Sequence, residues 1–245
     1  MVHEKLYVDT GSNSSVYCLQ NLSFNQFSKS MKNILICFVT CFLVCSNVKS
    51  QYGSIELNTG GFSFIPLFTS DKPHFILRAG TNDKKRLSIN LINLIMMDGF
   101  HPANYSLITR YKLIDKKLKL KIGFQLPGYR LFENEDYKAR SVQEIRASIS
   151  LNSKTDFLFL YLHGEGKNFE MNNNFYSIYF RKTFNKLVTN SQLYILFTNL
   201  EPDSSYGIAQ TISYQLKEKI RVNFFINKSL TNEVFNKTLG LQLYF

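Results

Sequence analysis

The last twelve residues of the chain alternate between apolar and polar side chains almost without interruption. Residues 234–245 read VFNKTLGLQLYF, and Lys237 alone breaks the apolar face of an extended segment. The apolar side chains on that face are Phe235, Leu239, Leu241, Leu243 and Phe245. A period of two predicts a β-strand with one apolar face. Here that face continues to the final residue, where a soluble chain usually frays. The segment therefore predicts a strand that lies between an apolar and a polar environment.

The same alternation recurs throughout the chain after residue 50. Residues 118–126 show it most clearly, because leucine, isoleucine and phenylalanine at even positions alternate with Lys119, Lys121, Gly123 and Gln125. A helix would place the two lysines on widely separated faces, so the pattern favours a strand. The register of residues 86–97 changes after Leu91, which predicts a β-bulge. The predicted strands number twelve: 54–65, 74–80, 86–95, 104–113, 118–126, 142–151, 156–163, 175–183, 187–198, 206–216, 219–228 and 234–245.

The connections between these strands alternate between longer and shorter segments, and the longest of them is predicted at 127–141. Together with the alternating strands and the terminal Phe245, this arrangement resembles the outer-membrane β-barrels of Gram-negative bacteria. The resemblance implies an all-β fold, a transmembrane antiparallel up-and-down β-barrel of about 12 strands with both termini at the periplasmic side. It also implies contact with outer-membrane lipid and lipopolysaccharide. In that family the last strand is a signal for the barrel insertion machinery, a role that falls here on Leu239, Leu241, Leu243 and Phe245.

The beginning of the chain predicts export. Residues 31–50 combine a short basic start, an apolar run from 34 to 45 and a small residue before Gln51, which is the pattern of a cleaved signal peptide. Residues 1–30 are then either an overcalled start or a cytoplasmic extension on an uncleaved anchor. The barrel is predicted for 51–245, in the outer membrane. The cysteines Cys18, Cys37, Cys41 and Cys45 all precede it, which leaves the exported part without a disulfide or a thiol nucleophile.

If the apolar positions face outward, parity assigns a basic set of side chains to the lumen. The candidates for anion binding are Arg78, Arg110, Lys121, Arg146, Arg181 and Arg221, and Lys112 and Lys119 share their parity. Only Glu56 and Glu144 oppose them, and the rest of that face is expected to be mainly small and polar. A positive interior favours anions. The sequence therefore predicts a small channel or binding barrel for anionic solutes.

Other interpretations of the lumen stay open at this point. Basic side chains near the turns can extend to the rim, and Glu56 and Glu144 can pair with neighbouring arginines as struts that seal the pore. The loop 127–141 could fold inward as a constriction, contact an external ligand or lie on the surface. A non-conducting barrel with a structural, adhesive or complex-forming role through its external loops is the alternative function.

Several classes of chemistry find no support in the sequence. The formal charge of +11 would suggest nucleic acid in a soluble protein, but the basic residues are spread along exported strands, so no nucleic-acid partner is expected. No cofactor motif or metal-ligand cluster is present. A lipid-modifying enzyme would need a serine, a histidine and an orienting group in one place. The candidates are His163 with Ser106 or Ser148, and nothing local marks either serine as a nucleophile, so an enzyme is not expected.

Overall fold

The structure is a computed structural model that describes residues 51–245, except 62, 64, 82, 84, 131–135, 200 and 202. The predicted signal peptide at 31–50 and the segment 1–30 lie outside the described residues. Nearly every described element is a strand, and a single turn of 3₁₀ helix, Pro66–Phe68, lies between the first two strands. No helix within this described portion has the length and apolar character needed to cross a membrane.

Twelve antiparallel strands form one closed barrel in which each strand pairs with its neighbours in sequence and β1 pairs with β12. The prediction of an up-and-down barrel of about twelve strands is therefore confirmed. The strands are β1 Gln51–Asn58, β2 His74–Thr81, β3 Leu87–Met96, β4 Pro102–Asp115, β5 Leu118–Tyr129, β6 Lys138–Asn152, β7 Thr155–Gly166, β8 Asn172–Phe184, β9 Leu187–Thr198, β10 Ser204–Lys217, β11 Ile220–Ser229 and β12 Phe235–Tyr244.

The two ends of the barrel differ in the length of their connections. At one end, called here the turn end, lie residues 116–117, 153–154, 185–186 and 218–219, the connection 82–86 and both Gln51 and Phe245. The opposite end, called the loop end, carries residues 59–73, 97–101, 130–137, 167–171, 199–203 and 230–234. Short turns at one end and longer loops at the other are typical of transmembrane barrels.

The outward face of the wall is apolar along most strands. On β12 the outward residues Leu239, Leu241 and Leu243 are 51%, 44% and 47% exposed, whereas Asn236 and Thr238 face inward and are buried. Leu193, Phe180 and Ile145 on other strands are exposed in the same way. Exposed apolar side chains in this number fit an apolar surrounding. The closed ring of strands fits it too, because such a ring pairs the backbone groups of the wall within itself.

The seam between the first and last strands depends on the C-terminal residue. The backbone amide of Phe245 donates to the carbonyl of Gly53 over 3.1 Å, and the amide of Gly53 donates to the carbonyl of Phe245 over 3.3 Å. The Phe245 ring lies directly over Gly53, where a Cβ atom would overlap it. Glycine at position 53 therefore lets the terminal aromatic ring cover the seam on the outer face.

Two local predictions are wrong. The first strand ends at Asn58 instead of continuing to residue 65, so the longest connection is 59–73 and not 127–141. The register of β3 does not change after Leu91, since Ser88, Ile92 and Leu94 all face inward. The irregularity in its pairing with β4 comes later, between Leu94 and Ile95.

Candidate functional site: the barrel lumen

The described residues of the connection 59–73, called here the inward loop, fold into the lumen from the loop end. The loop leaves the wall between β1 and β2, yet its residue Ile65 packs against side chains of β6 to β10. In a closed ring of twelve strands, β7 and β8 lie opposite β1 and β2. The tip of the inward loop therefore lies inside the barrel, in a buried cluster that extends over β6 to β10.

Apolar contacts fix the tip of the inward loop. Ile65 is 6% exposed and Pro66 is fully buried. The cluster around Ile65 consists of Val142, Leu160, Leu162, Phe175, Tyr194, Leu196 and Ala209, all buried. Because the lumen would otherwise hold water, burying Ile65 among these side chains stabilises the docked loop.

Two buried asparagines, on β12 beside β1 and on the adjacent β11, hold the backbone of the inward loop. Asn227 Nδ2 donates to the Pro66 carbonyl over 3.4 Å, and Asn236 Nδ2 donates to the Thr69 carbonyl over 3.3 Å and to Asp71 Oδ1 over 2.9 Å. The Asn227 side chain also donates to Asn236 Oδ1 and accepts from the Tyr194 hydroxyl. These bonds place the loop backbone relative to three strands of the wall.

The inner face of the wall nearer the loop end carries two buried apolar groups among its polar side chains, and the sequence pattern did not predict these groups. Besides the cluster around Ile65, a second group on β2, β3 and β4 faces inward and is buried: Ile76, Ile92, Leu94 and Ile108. The expectation of a mainly small and polar inner face is therefore wrong at these two groups, whereas other inward residues of this half are small and polar: Asn58, Ser106, Asn173, Ser205, Asn227 and Asn236. Strands such as β7 carry apolar side chains at both parities, so alternation alone cannot assign their faces.

A cavity of about 690 Å³ extends from the inward loop towards the turn end, and most of the residues that line it are polar or charged. All six predicted lumen candidates line it: Arg78, Arg110, Lys121, Arg146, Arg181 and Arg221. Lys119 also lines it, whereas Lys112 does not and instead pairs with Asp115 over 2.9 Å beside the turn at 116–117. The acidic side chains of the lining are Glu56, Asp83, Glu144 and Asp156. Among the described residues, seven basic groups therefore face four acidic ones in this cavity.

Three of the basic groups are held by carboxylates. Arg78 donates to Glu56 over 2.6 Å, and Lys121 donates to Asp83 over 2.6 Å. Arg110 binds Glu144 through two bonds of 2.6 and 2.9 Å. The first and third pairs are the arginine–glutamate struts that the sequence left open as an alternative.

The pair between Arg110 and Glu144 depends on a glycine between them. Arg110 is on β4 and Glu144 is on β6, with Gly123 of β5 opposite both of them. A Cβ at Gly123 would come within 3.2 Å of both side chains. The absence of a side chain at position 123 therefore lets Arg110 reach across one strand to its partner on the next.

The other basic groups of the lining make no ion pair within 4.0 Å among the residues that the structure describes. They are Lys119, Arg146, Arg181 and Arg221. Arg221 Nε donates to Gln215 Oε1 over 3.0 Å, and its guanidinium lies 5.0 Å from the centre of the Tyr244 ring. Their charges are therefore available to a solute in the cavity.

Asp83, in the connection 82–86, is the carboxylate of this cavity that lies outside the strands. Partial burial acts to raise its pKa, but the hydrogen bond and charge of Lys121, with smaller contributions from Ser88 and Arg146, outweigh burial. The pKa of Asp83 is therefore below its ordinary value. The sequence missed Asp83 because it lies in a turn, and missed Asp156 because β7 is apolar on both faces.

The residues considered for catalysis do not meet. His163 is on the outward face of β7 near the loop end, where its ring nitrogens lie 2.9 Å from Asn174 Oδ1 and 3.3 Å from Glu165 Oε1. Ser106 faces inward on β4 and Ser148 lines the cavity, so the barrel wall separates both serines from the histidine. This arrangement does not form a serine–histidine pair.

No family model matches the sequence, and no curated protein matches it. Solved structures do share the fold. One described as "KdgM porin" is similar with a TM-score of 0.57 and 8% sequence identity, over 79% of this chain and 99% of that chain. The NanC porin is similar with a TM-score of 0.55 and 8% identity, over 79% and 98%. A KdgM porin "in complex with disordered oligogalacturonate" gives a TM-score of 0.53 and 9% identity, over 80% and 99%. At these identities the likeness concerns the fold, which is that of outer-membrane porins.

Proposed function

We propose that the protein is an outer-membrane channel that passes small anionic solutes through its basic lumen. The observation that carries this proposal is the cavity lining, in which seven basic groups face four acidic ones and Lys119, Arg146, Arg181 and Arg221 lack a carboxylate partner among the described residues. A confined lumen with an excess of one charge raises the local concentration of counter-ions. The porin fold supports the same function, and one porin of this fold was solved with an acidic sugar oligomer.

Reversal potential in a planar bilayer tests this function. The full chain, purified in detergent and inserted into the bilayer, is placed under a tenfold KCl gradient. We expect discrete conductance steps and a reversal potential displaced towards the chloride equilibrium potential. A channel with equal permeability to both ions, or one that prefers potassium, would refute the anion channel.

Neutralising unpaired arginines tests which groups carry the selectivity. Arg146→Gln, Arg181→Gln and Arg221→Gln should each move the reversal potential towards zero, because each removes one positive charge and breaks no ion pair within 4.0 Å among the described residues. Lys182→Gln is the matched control, since Lys182 lies exposed on the outward face of β8, 4.8 Å from the centre of the Phe184 ring. A shift in the control as large as in the lumen variants would show that the lumen charges are not the cause.

The inward loop supports a second candidate function, a non-conducting barrel that acts through its external loops. The loop places Ile65 in a buried apolar cluster inside the barrel near the loop end, where it occupies part of the lumen. Conductance separates the two functions. A barrel that is verified as inserted and remains silent would favour the second function.

A further inference from the structure

Beside the unpaired Arg146, the wall of the cavity carries an apolar patch. Arg146 on β6 lies directly opposite Leu160 on β7, and Leu158 on β7 lies directly opposite Tyr179 on β8. All four side chains line the cavity. Directly opposed residues hold their Cβ atoms about 4.5–5.5 Å apart. The four side chains, called here the Arg146 subsite, therefore form one continuous surface.

Among the described residues, no acidic group forms an ion pair with Arg146 within 4.0 Å. Glu144 Oε1 and Oε2 accept from Arg110, and Oε2 also accepts from Gln125. Asp83 accepts from Lys121, which lies directly opposite Arg146 on β5. Arg146 thus lies between two ion pairs that are already formed, and its guanidinium is the group that remains to bind an anion.

Leu158 and Tyr179 face the water of the cavity in the absence of a solute, whereas Leu160 is buried beneath them. Leu158 and Tyr179 are partly buried and pack against the buried cluster that includes Leu160. Gln192 Nε2 donates to the Tyr179 hydroxyl over 2.9 Å, which orients the ring. From β11, Phe225 lines the same cavity and packs against the same cluster. Covering such a surface with the apolar body of a solute removes it from water and is favourable.

We propose that the Arg146 subsite selects organic acids with one carboxylate and a small apolar or aromatic body. The carboxylate binds the Arg146 guanidinium, a geometry that allows two parallel hydrogen bonds, and the body of the acid packs on Leu158 and Tyr179. An acid with a hydroxylated body has the same charge but covers Leu158 and Tyr179 less favourably, because its hydroxyl groups lose water there. This inference rests on the proposed anion channel and names its solute class.

Equilibrium dialysis of labelled benzoate tests the subsite without requiring conduction. The full chain is placed in lipid nanodiscs, and protein-free nanodiscs give the background. We expect saturable binding of benzoate, with gluconate at least about tenfold weaker as a competitor. Absence of saturable benzoate binding, or equal competition by gluconate, would overturn the proposal.

Three variants assign the binding to the two parts of the subsite. Arg146→Gln removes a charged hydrogen-bond donor and should weaken benzoate binding about tenfold or more, and Arg146→Lys should restore part of the loss. Leu158→Asn should weaken benzoate and leave gluconate unchanged, because it removes only apolar contact. Lys182→Gln on the outer face is the control and should bind benzoate normally. Wild-type affinity for benzoate in Arg146→Gln would overturn the proposal even if Leu158→Asn failed to fold.

Conductance then separates this proposal from the function on which it rests. A channel that prefers chloride over potassium but shows no greater permeability to benzoate than to gluconate, and no benzoate binding, would overturn the subsite alone. A silent barrel that binds benzoate in dialysis would overturn the channel and support the subsite as a binding site.

Discussion

Removing the side chain of Ile65 tests whether the inward loop limits passage through the barrel. Ile65 is 6% exposed within an apolar cluster, and truncating a buried isoleucine to alanine typically costs about 2–5 kcal/mol. The strand ladder does not include Ile65, so we expect most of this loss to fall on the docking of the loop. Since about 1.4 kcal/mol changes an equilibrium tenfold, Ile65→Ala should lower the ratio of docked to undocked loop by a factor of about 30 or more.

The assay is single-channel conductance in a planar bilayer. We expect Ile65→Ala to raise the mean conductance or the fraction of time spent in the larger state. Ile65→Asp should do so more strongly, because a carboxylate without a partner is expelled from an apolar cluster. Asn236→Ala should add to the effect, since it removes two hydrogen bonds to the loop, each contributing about 0.5–1.5 kcal/mol.

Phe68→Ala provides the matched control within the same loop. Phe68 is 45% exposed and lies outside the buried apolar cluster, so its truncation should raise conductance less than Ile65→Ala does. The reasoning is refuted if Ile65→Asp combined with Asn236→Ala conducts like the wild type. That result would mean that solutes pass beside the docked loop.

Two further predictions concern the carboxylates of the cavity. Arg110→Gln leaves the buried Glu144 without its cation and should lower the unfolding free energy in urea titrations by about 2–3 kcal/mol, less than for a fully buried pair because lumen water screens it. Glu144→Gln should cost less, and equal losses would contradict this account. The pKa of Asp83 is lowered, so its pairing with Lys121 is fully present at any pH above the ordinary aspartate pKa of about 3.9. The pairing is lost as the pH falls through the lowered pKa. Acidification below about pH 4 should therefore increase anion selectivity in bilayers. Asp83→Asn should show increased selectivity already at pH 7, and a variant indistinguishable from the wild type at both pH values would contradict the prediction.

The outer wall of the barrel was predictable from the sequence because one physical requirement determines it. In an apolar surrounding, every second side chain of a strand has to be apolar. Strands β5, β10, β11 and β12 follow that rule closely. The same parity placed the six basic candidates on the lumen side. The pattern is informative wherever one face of the strand is polar.

The buried apolar groups on the inner face near the loop end were not predictable from the strand pattern, because one of them packs with a residue of the inward loop and not with another strand. Leu160, Leu162 and Phe175 face inward and are covered by Ile65, which is distant in sequence. Alternation cannot distinguish a side chain that faces lipid from one that is covered by a folded loop, since both are apolar. The alternation up to residue 65 predicts an extension of the first strand, so the apolar character of residues 62–68 does not reveal a loop inside the barrel.

Passage and selection involve different parts of the lumen in this barrel. Ile65 lies in the buried apolar cluster near the loop end, whereas the unpaired basic groups line the cavity, to which Gly61, Ser63 and Thr69 of the inward loop also contribute. Changes at sites that share no partner usually add. Ile65→Ala should therefore change conductance with little effect on the reversal potential, and Arg181→Gln should do the opposite. If each variant instead changes both quantities, the docked loop itself positions the charges that select the solute, and the lumen acts as one unit.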